Sequence, residues 1–194
     1  EGAGDPLSLG KHQQVARTRE PTAHSPSGRW LTEKLRDGSL AREAPPVIAG
    51  HYVADRKAHG AELRWLLAHG YVVLSSRYDL STYAYQGSQG IPLSDLYGIH
   101  GYGRGECLVP DLTLYIDVDG KTAVERIAAR GGAREFFEEQ ATLERVRQGY
   151  LEAVAFLRDR DGRSITILNG SRPLEAVVHA AAQAIAAALF PAAK

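Results

Sequence analysis

The chain has 194 residues, of which 44% are hydrophobic and 24% charged, the size and composition of one globular domain that buries a core. Its 23 basic and 23 acidic residues cancel, which excludes a surface that is basic throughout but allows a local anion site. A single cysteine, Cys107, excludes an internal disulfide and a cysteine-based zinc site. Without a run of about 18 apolar residues or a secretory signal in Glu1–Gly10, we expect a cytoplasmic protein with neither membrane nor nucleic acid as partner.

Short apolar runs alternate along the chain with segments of helical periodicity. Four runs closed by turn residues predict β-strands at Gln14–Thr18, Tyr71–Ser75, Leu112–Val118 and Ser164–Leu168. Because these runs are almost unbroken, we expect parallel strands that are buried on both faces.

Apolar residues three and four positions apart predict the helices. In chain order these are Trp30–Arg36, Ala61–Ala68, Lys121–Arg130, Phe136–Asp159 and Pro173–Leu189. The glycine-rich stretch Gly87–Glu106 is either a ligand-facing loop or a broken helix. The alternation of strands and helices indicates an α/β domain that binds its ligand beyond the carboxyl ends of the strands.

Three arginines are candidates for an anion pocket. Arg19 and Arg77 follow two predicted strands, and Arg56 lies in a stretch that we expect to be helical. A guanidinium offers forked donors that match two phosphate oxygens at once. Each arginine alone is typical of a solvated surface charge, whereas the three together, beside aromatic residues, favour a phosphate pocket.

The motifs around these arginines resemble those of thymidylate kinases in order and spacing. The match runs from about Gln14 to the C-terminus, and the Ala-Tyr-Gln-Gly element is its most specific part. The residues that carry it are Arg19-Glu20-Pro21, Ala54-Asp55-Arg56, Arg77-Tyr78, Ser81, Ala84-Tyr85-Gln86-Gly87, Pro110-Asp111, Arg145-Val146-Arg147 and Tyr150.

The resemblance implies a P-loop kinase fold over residues 1–194, with three α/β/α layers, a central parallel sheet and a short lid around residues 130–140. It also implies transfer of the γ-phosphoryl group of ATP to dTMP to give dTDP, with Mg²⁺ accompanying ATP, in a homodimer. Phosphoryl transfer needs positioning and positive charge more than covalent chemistry, which suits a site rich in arginine.

The resemblance assigns a role to each matching position. Arg19, Arg56 and Arg77 would bind the dTMP phosphate, and Tyr52 would stack on the thymine ring, although a tyrosine on a helix face also suits a core. Further implied residues are Ser81, Tyr85 and Gln86 in the nucleoside pocket, Arg77 and Arg134 in catalysis, and Gly2, Gly4, Arg130 and Arg134 at ATP, with no metal ligand.

The sequence departs from the family in two places. Gly10-Lys11 is followed by His12 instead of a hydroxyl residue, and Gly4 and Gly10 are one residue too far apart for a Walker A loop, so we expect the core of that loop to be missing from this chain. Ser76 stands where the family usually has aspartate before the arginine-tyrosine pair. Two alternatives therefore remain open: a catalytically impaired dimer that binds dTMP, and a kinase of another pyrimidine monophosphate.

Overall fold

Parallel strands and helices alternate in the computed structural model, which describes residues 14–129 and 140–190. The strands are β1 (Val15–Arg19), β2 (Val72–Ser76), β3 (Thr113–Asp117) and β4 (Ile165–Asn169). Each lies within one residue of its prediction. Gly2, Gly4, Arg130, Arg134 and positions 130–139 of the expected lid lie outside the described residues.

Seven α-helices connect and follow these strands in the described ranges. They are α1 (Pro26–Arg36), α2 (Pro45–Ala68), α3 (Asp79–Gly87), α4 (Leu93–His100), α5 (Gly120–Ala129), α6 (Gln140–Asp161) and α7 (Leu174–Leu189). None of them is both long enough and apolar enough to cross a membrane.

The strands form two parallel pairs. β1 pairs with β2 so that Arg19 lies opposite Ser76, and β3 pairs with β4 so that Asp117 lies opposite Asn169. The expected parallel direction is confirmed, but burial on both faces is wrong for the described residues. Apolar strand side chains keep 40–53% of their surface exposed because the helices pack largely on one another; these are Val15, Leu74, Ile116 and Ile167.

Helix α2 begins at Pro45, far before the start at Ala61 that apolar spacing predicts, and it includes the stretch around Arg56 that we expected to be helical. Its inward face carries Asp55, Arg56 and His59, each at most 4% exposed, and these polar residues interrupt the apolar period. Hydrophobic spacing could not reveal a helix whose buried face is partly charged.

Most of the stretch Gly87–Glu106 is a broken helix and not a loop. α4 occupies its middle, and a short 3-10 turn (Tyr102–Arg104) follows. Cys107, just beyond, is 2% exposed, and burial raises the pKa of its thiol to about 11. The thiol is therefore protonated at neutral pH.

The core lies between α3 and α6. Leu80 and Tyr83 of α3 pack with Val154 and Leu157 of α6, each at most 5% exposed. Gly149 permits this close approach, since a Cβ at that position would lie 2.5 Å from the carbonyl oxygen of Ala84.

A buried ion pair joins the start of α3 to the start of β4. Arg163 Nη1 donates to Asp79 Oδ2 at 2.8 Å, and both side chains are at most 2% exposed. Tyr102 Oη donates to the same carboxylate oxygen at 2.6 Å. Burial alone would raise the pKa of Asp79, but the charges of Arg163 and Arg56 outweigh it and hold that pKa below its usual range.

Replacing Gly149 by alanine tests the α3–α6 contact. Alanine is the better helix former by about 1 kcal/mol, but a backbone carbonyl cannot rotate away from the new methyl group. We expect Gly149→Ala to lower the free energy of unfolding by about 1–3 kcal/mol in urea titrations. Gly50→Ala in α2, where a Cβ meets nothing within 4 Å, is the control and should be neutral or stabilising. Equal stability of the two variants would contradict the packing argument.

Asp79→Asn tests the buried ion pair. Removing the charge leaves Arg163 with Asp161 as its one remaining carboxylate partner among the described residues. We expect a loss of about 3 kcal/mol in the free energy of unfolding at neutral pH, because a buried pair loses one of its charges. Because the folded pKa of Asp79 is depressed, its stabilisation is complete above the ordinary value of 3.8 and is lost as pH falls through the folded pKa.

Urea unfolding of wild type and variant across the acid range measures this effect. The gap between the two proteins should narrow as pH falls below 3.8. Asp111→Asn, at an exposed position outside the helices, should match wild type throughout. A gap that stays constant with pH would rule out the charge of Asp79 as its source.

Candidate active site

Two of the predicted arginines stand at one edge of the β1–β2 pair. Arg19 is the last residue of β1, and Arg77 follows Ser76, the last residue of β2 and the register partner of Arg19. The amide of Glu20 donates to the carbonyl of Ser76 at 3.2 Å, which extends the strand pairing by one bond. Both arginines are exposed at this edge, where the two strands lie about 4.8 Å apart.

The backbone of Arg77 is left-handed, with φ of 62°. This conformation is uncommon for a residue with a Cβ and costs about 1–2 kcal/mol. Ser75 Oγ donates to the carbonyl oxygen of Arg77 at 2.8 Å and helps to hold the turn from β2 into α3. Strained residues concentrate at functional sites, so this turn supports a functional role for Arg77.

Side chains from α2, α3 and α6 meet Arg77 in what we call the aromatic-arginine cluster, defined as Tyr52, Arg77, Ser81, Tyr85 and Tyr150. Tyr150 Oη donates to Ser81 Oγ at 3.0 Å, and the Tyr85 and Tyr150 rings meet edge to face with centroids 6.1 Å apart. Burial raises the pKa of Tyr150 to about 12, so its hydroxyl remains protonated.

Tyr52 joins this cluster from α2. Burial raises its pKa, and the positive charges of Arg77 and Arg56 oppose that shift. Arg56 follows Tyr52 by four residues in α2, so the two side chains lie on the same face of the helix. Tyr85 shifts the pKa of Tyr52 in the opposite direction to the two arginines, that is, upwards. The structure therefore brings together four residues that the sequence analysis placed at the monophosphate: Tyr52, Arg77, Ser81 and Tyr85.

Arg56 lies beneath the cluster and is 1% exposed. Its Nε and Nη2 donate to Glu20 Oε2 at 2.8 and 2.6 Å, and its guanidinium lies over the Tyr78 ring at 4.9 Å. Burial alone would lower the pKa of Arg56, but Glu20 and Asp79 raise it above its usual value, so the group is charged. This guanidinium is already bonded on several sides, unlike the open fork expected from sequence.

Gln86, the remaining nucleoside-pocket candidate, is 4% exposed. Its Oε1 is a buried acceptor without a hydrogen-bond partner among the described residues. Buried acceptors are usually paired, so an orphaned amide oxygen beside a candidate binding cluster is notable.

Asp55, within the Ala54-Asp55-Arg56 motif, fixes the loop after β1. Its carboxylate is fully buried and accepts bonds from the amide and hydroxyl of Thr22, at 2.7 and 2.6 Å, and from Ser25 Oγ at 2.5 Å. Ser25 Oγ in turn accepts from the amide of Gly28 at 2.8 Å and caps α1. Asp55 therefore holds the segment that leads away from Arg19.

A second cleft opens at the ends of β3 and β4. It has a volume of about 360 Å³. Arg147 of α6 closes one side through a bidentate pair with Asp117, at 2.7 and 2.8 Å, and this pairing holds the pKa of Asp117 below its usual range. The lining consists of Asp117, Asp119, Arg147, Ile167, Asn169 and Ser171.

Two histidines outside the motifs of the resemblance are part of this architecture. His59 is buried and its Nδ1 donates to Glu20 Oε1 at 3.2 Å. His100 is fully buried and contacts Arg56. Glu20 and Asp55 lie within motifs of the family resemblance, which could have marked them as candidates. Nothing in the sequence links His100 to Arg56.

Comparison with known proteins identifies the family. The sequence model described as thymidylate kinase matches residues 8–181. A thymidylate kinase of Pseudomonas putida (strain W619) is 36% identical, covering 93% of this chain and 89% of the relative. Those of Alkalilimnicola ehrlichii and Bacillus cereus (strain AH187) are 32% and 30% identical, covering 97% and 90% of this chain and 90% and 84% of the relatives. The chain belongs to the thymidylate kinase family, the P-loop α/β kinases that phosphorylate dTMP with ATP.

Proposed function

We propose that the aromatic-arginine cluster binds dTMP and presents its phosphate for transfer of the γ-phosphoryl group of ATP. The observation that carries this proposal is the convergence of Arg77 with Tyr52, Ser81 and Tyr85 beyond the carboxyl end of β2. Ligands of open α/β sheets bind at such an edge. Family membership supplies the reaction, and the cluster supplies a place for its acceptor.

The dTMP phosphate lies between Arg19 and Arg77 in this proposal. Both residues are exposed at adjacent strand ends, and their forked donors suit phosphate oxygens. The left-handed turn directs Arg77 away from the strand, so that its charge is in place before substrate arrives. Such a preorganised charge stabilises the negative oxygens of the transition state, a role in which Arg134 remains predicted to assist.

The thymine ring rests against Tyr52, with Ser81, Tyr85 and Gln86 around the nucleoside. An aromatic face and a base stack with a contribution of about 1–3 kcal/mol. The unpartnered Oε1 of Gln86 is an acceptor that suits the N3–H donor of thymine. Arg56 then contributes its charge from below the ring, and direct contact of Arg56 with dTMP remains a prediction.

ATP enters in this proposal as its Mg²⁺ complex. Among the described residues no group of three histidine, cysteine or acidic side chains could hold a metal ion. Asp117 in the β3–β4 cleft is occupied by Arg147. Mg²⁺ usually keeps several waters and binds substrate phosphates, so in this proposal the ion arrives with ATP.

The names of the relatives favour dTMP over the two alternatives. All three relatives described above are thymidylate kinases, which supports neither an impaired binding dimer nor a kinase of another pyrimidine monophosphate. Homodimer formation and cytoplasmic location remain predictions, which sedimentation and cell fractionation would test.

A coupled assay of the full-length protein with ATP, Mg²⁺ and dTMP tests the proposal. We expect turnover of dTMP, and we expect Arg77→Gly to reduce kcat/KM by at least about 100-fold because bonds to a charged phosphate are lost. Glycine is the informative replacement because it tolerates φ of 62° and leaves the turn unstrained.

Two further variants serve as an intermediate case and as a control. Arg77→Lys keeps the charge but not the fork and should fall between glycine and wild type. Arg36→Ala, at an exposed position at the end of α1, should retain full activity. Absence of turnover with every nucleoside monophosphate, or full activity of Arg77→Gly, would refute the proposal.

A further inference from the structure

His100, the last residue of α4, is a fully buried histidine outside the motifs that define the family resemblance. Its ring is stacked between those of Tyr83 and Tyr102, with centroids 5.1 Å away on each side and an interplanar angle of 9° in both pairs. Stacking of this kind restricts the ring to one plane, so its two nitrogens point in fixed directions.

The hydrogen bonds of His100 determine its tautomer. Nδ1 lies 2.6 Å from the carbonyl oxygen of Leu96, which can only accept, so Nδ1 carries the hydrogen. Nε2 lies 2.8 Å from Arg56 Nη1, which can only donate, so Nε2 presents its lone pair. Burial and the charge of Arg56 lower the pKa of His100 to about 4, which keeps the ring neutral at physiological pH.

Arg56 is thereby held at two ends. Glu20 accepts from Nε and Nη2 through a single oxygen, Oε2. The bond from Nη1 to His100, at 2.8 Å, is shorter than the two contacts of 3.4 Å that Nη1 and Nη2 make with Thr82 Oγ1. Apart from Glu20, His100 therefore makes the shortest hydrogen bond to the guanidinium.

We propose that His100 is a positioning residue for the monophosphate pocket: its neutral Nε2 accepts from Arg56 and fixes the guanidinium beneath the aromatic-arginine cluster. The inference rests on the proposed binding of dTMP at that cluster. His100 itself does not touch the substrate, and its effect on dTMP affinity passes through Arg56.

Two substitutions separate the acceptor of His100 from its ring. His100→Phe keeps an aromatic ring between Tyr83 and Tyr102 but has no acceptor, whereas His100→Gln offers an amide oxygen to Arg56 and loses the stacking. If His100 positions Arg56, affinity for dTMP follows the acceptor. If His100 only fills the core, affinity is indifferent to the acceptor and stability follows the ring.

Calorimetric titration of full-length protein with dTMP, paired with urea unfolding, distinguishes these outcomes. We expect His100→Phe to weaken dTMP binding at least about tenfold, the effect of losing a bond to a charged group, and His100→Gln to retain most of the affinity. Placing each substitution in an Arg56→Met background should abolish the difference, because the residue through which His100 acts is gone.

Each result supports or overturns the inference. Wild-type affinity in His100→Phe, or an undiminished effect in the Arg56→Met background, would overturn it. Should His100→Phe fail to fold, His100→Gln decides, because a loss of dTMP affinity as great as that of Arg56→Met alone would contradict rescue by its amide oxygen. If wild type binds no dTMP, the proposed function fails, whereas wild-type binding with unchanged variants refutes only the role of His100.

Discussion

The burial of one positive charge, that of Arg56, governs how the site is assembled. A guanidinium removed from water is strongly destabilising unless its donors are paired. Arg56 of α2 finds its partners on three other segments: Glu20 after β1, Thr82 of α3 and His100 of α4. Because an unpaired buried charge is so costly, these segments have little freedom to move relative to one another. The framework of the proposed monophosphate pocket is set by this constraint as much as by apolar packing.

Neighbouring polar residues on α2 also hold the loop after β1 through buried hydrogen bonds. The carboxylate of Asp55 accepts three hydrogen bonds from that loop, and Arg56 donates to the carboxylate of Glu20 just before the loop. His59, one turn further along the helix, forms hydrogen bonds with Glu20 and Thr18. Polar residues on one helix face thus hold the chain on both sides of Arg19, so its strand-end position has polar support as well as strand pairing.

Sequence patterns predicted the strands well and the polar helices poorly. β1 to β4 were found within one residue because short apolar runs between turn residues have few other interpretations. The start of α2 was not located, although the stretch around Arg56 was expected to be helical, and all of α3 was missed. The buried faces of both helices mix charged and polar residues with apolar ones. Motifs supplied Tyr52 and Arg77 as candidates for the site, and their roles stay predictions. His100 was not among the candidates, because its bond to Arg56 spans 44 positions and exists only in the folded chain.

At Arg77 the left-handed backbone favours glycine, whereas the proposed function requires the arginine side chain. A glycine there would relieve the turn and stabilise the fold, while the side chain that makes the position useful would disappear. A screen that rewards thermal resistance alone would therefore favour loss of this arginine, and under the proposed function the selected proteins would lose activity. Retaining arginine at this position is a trade-off in which some stability is given up for a charge at the strand end.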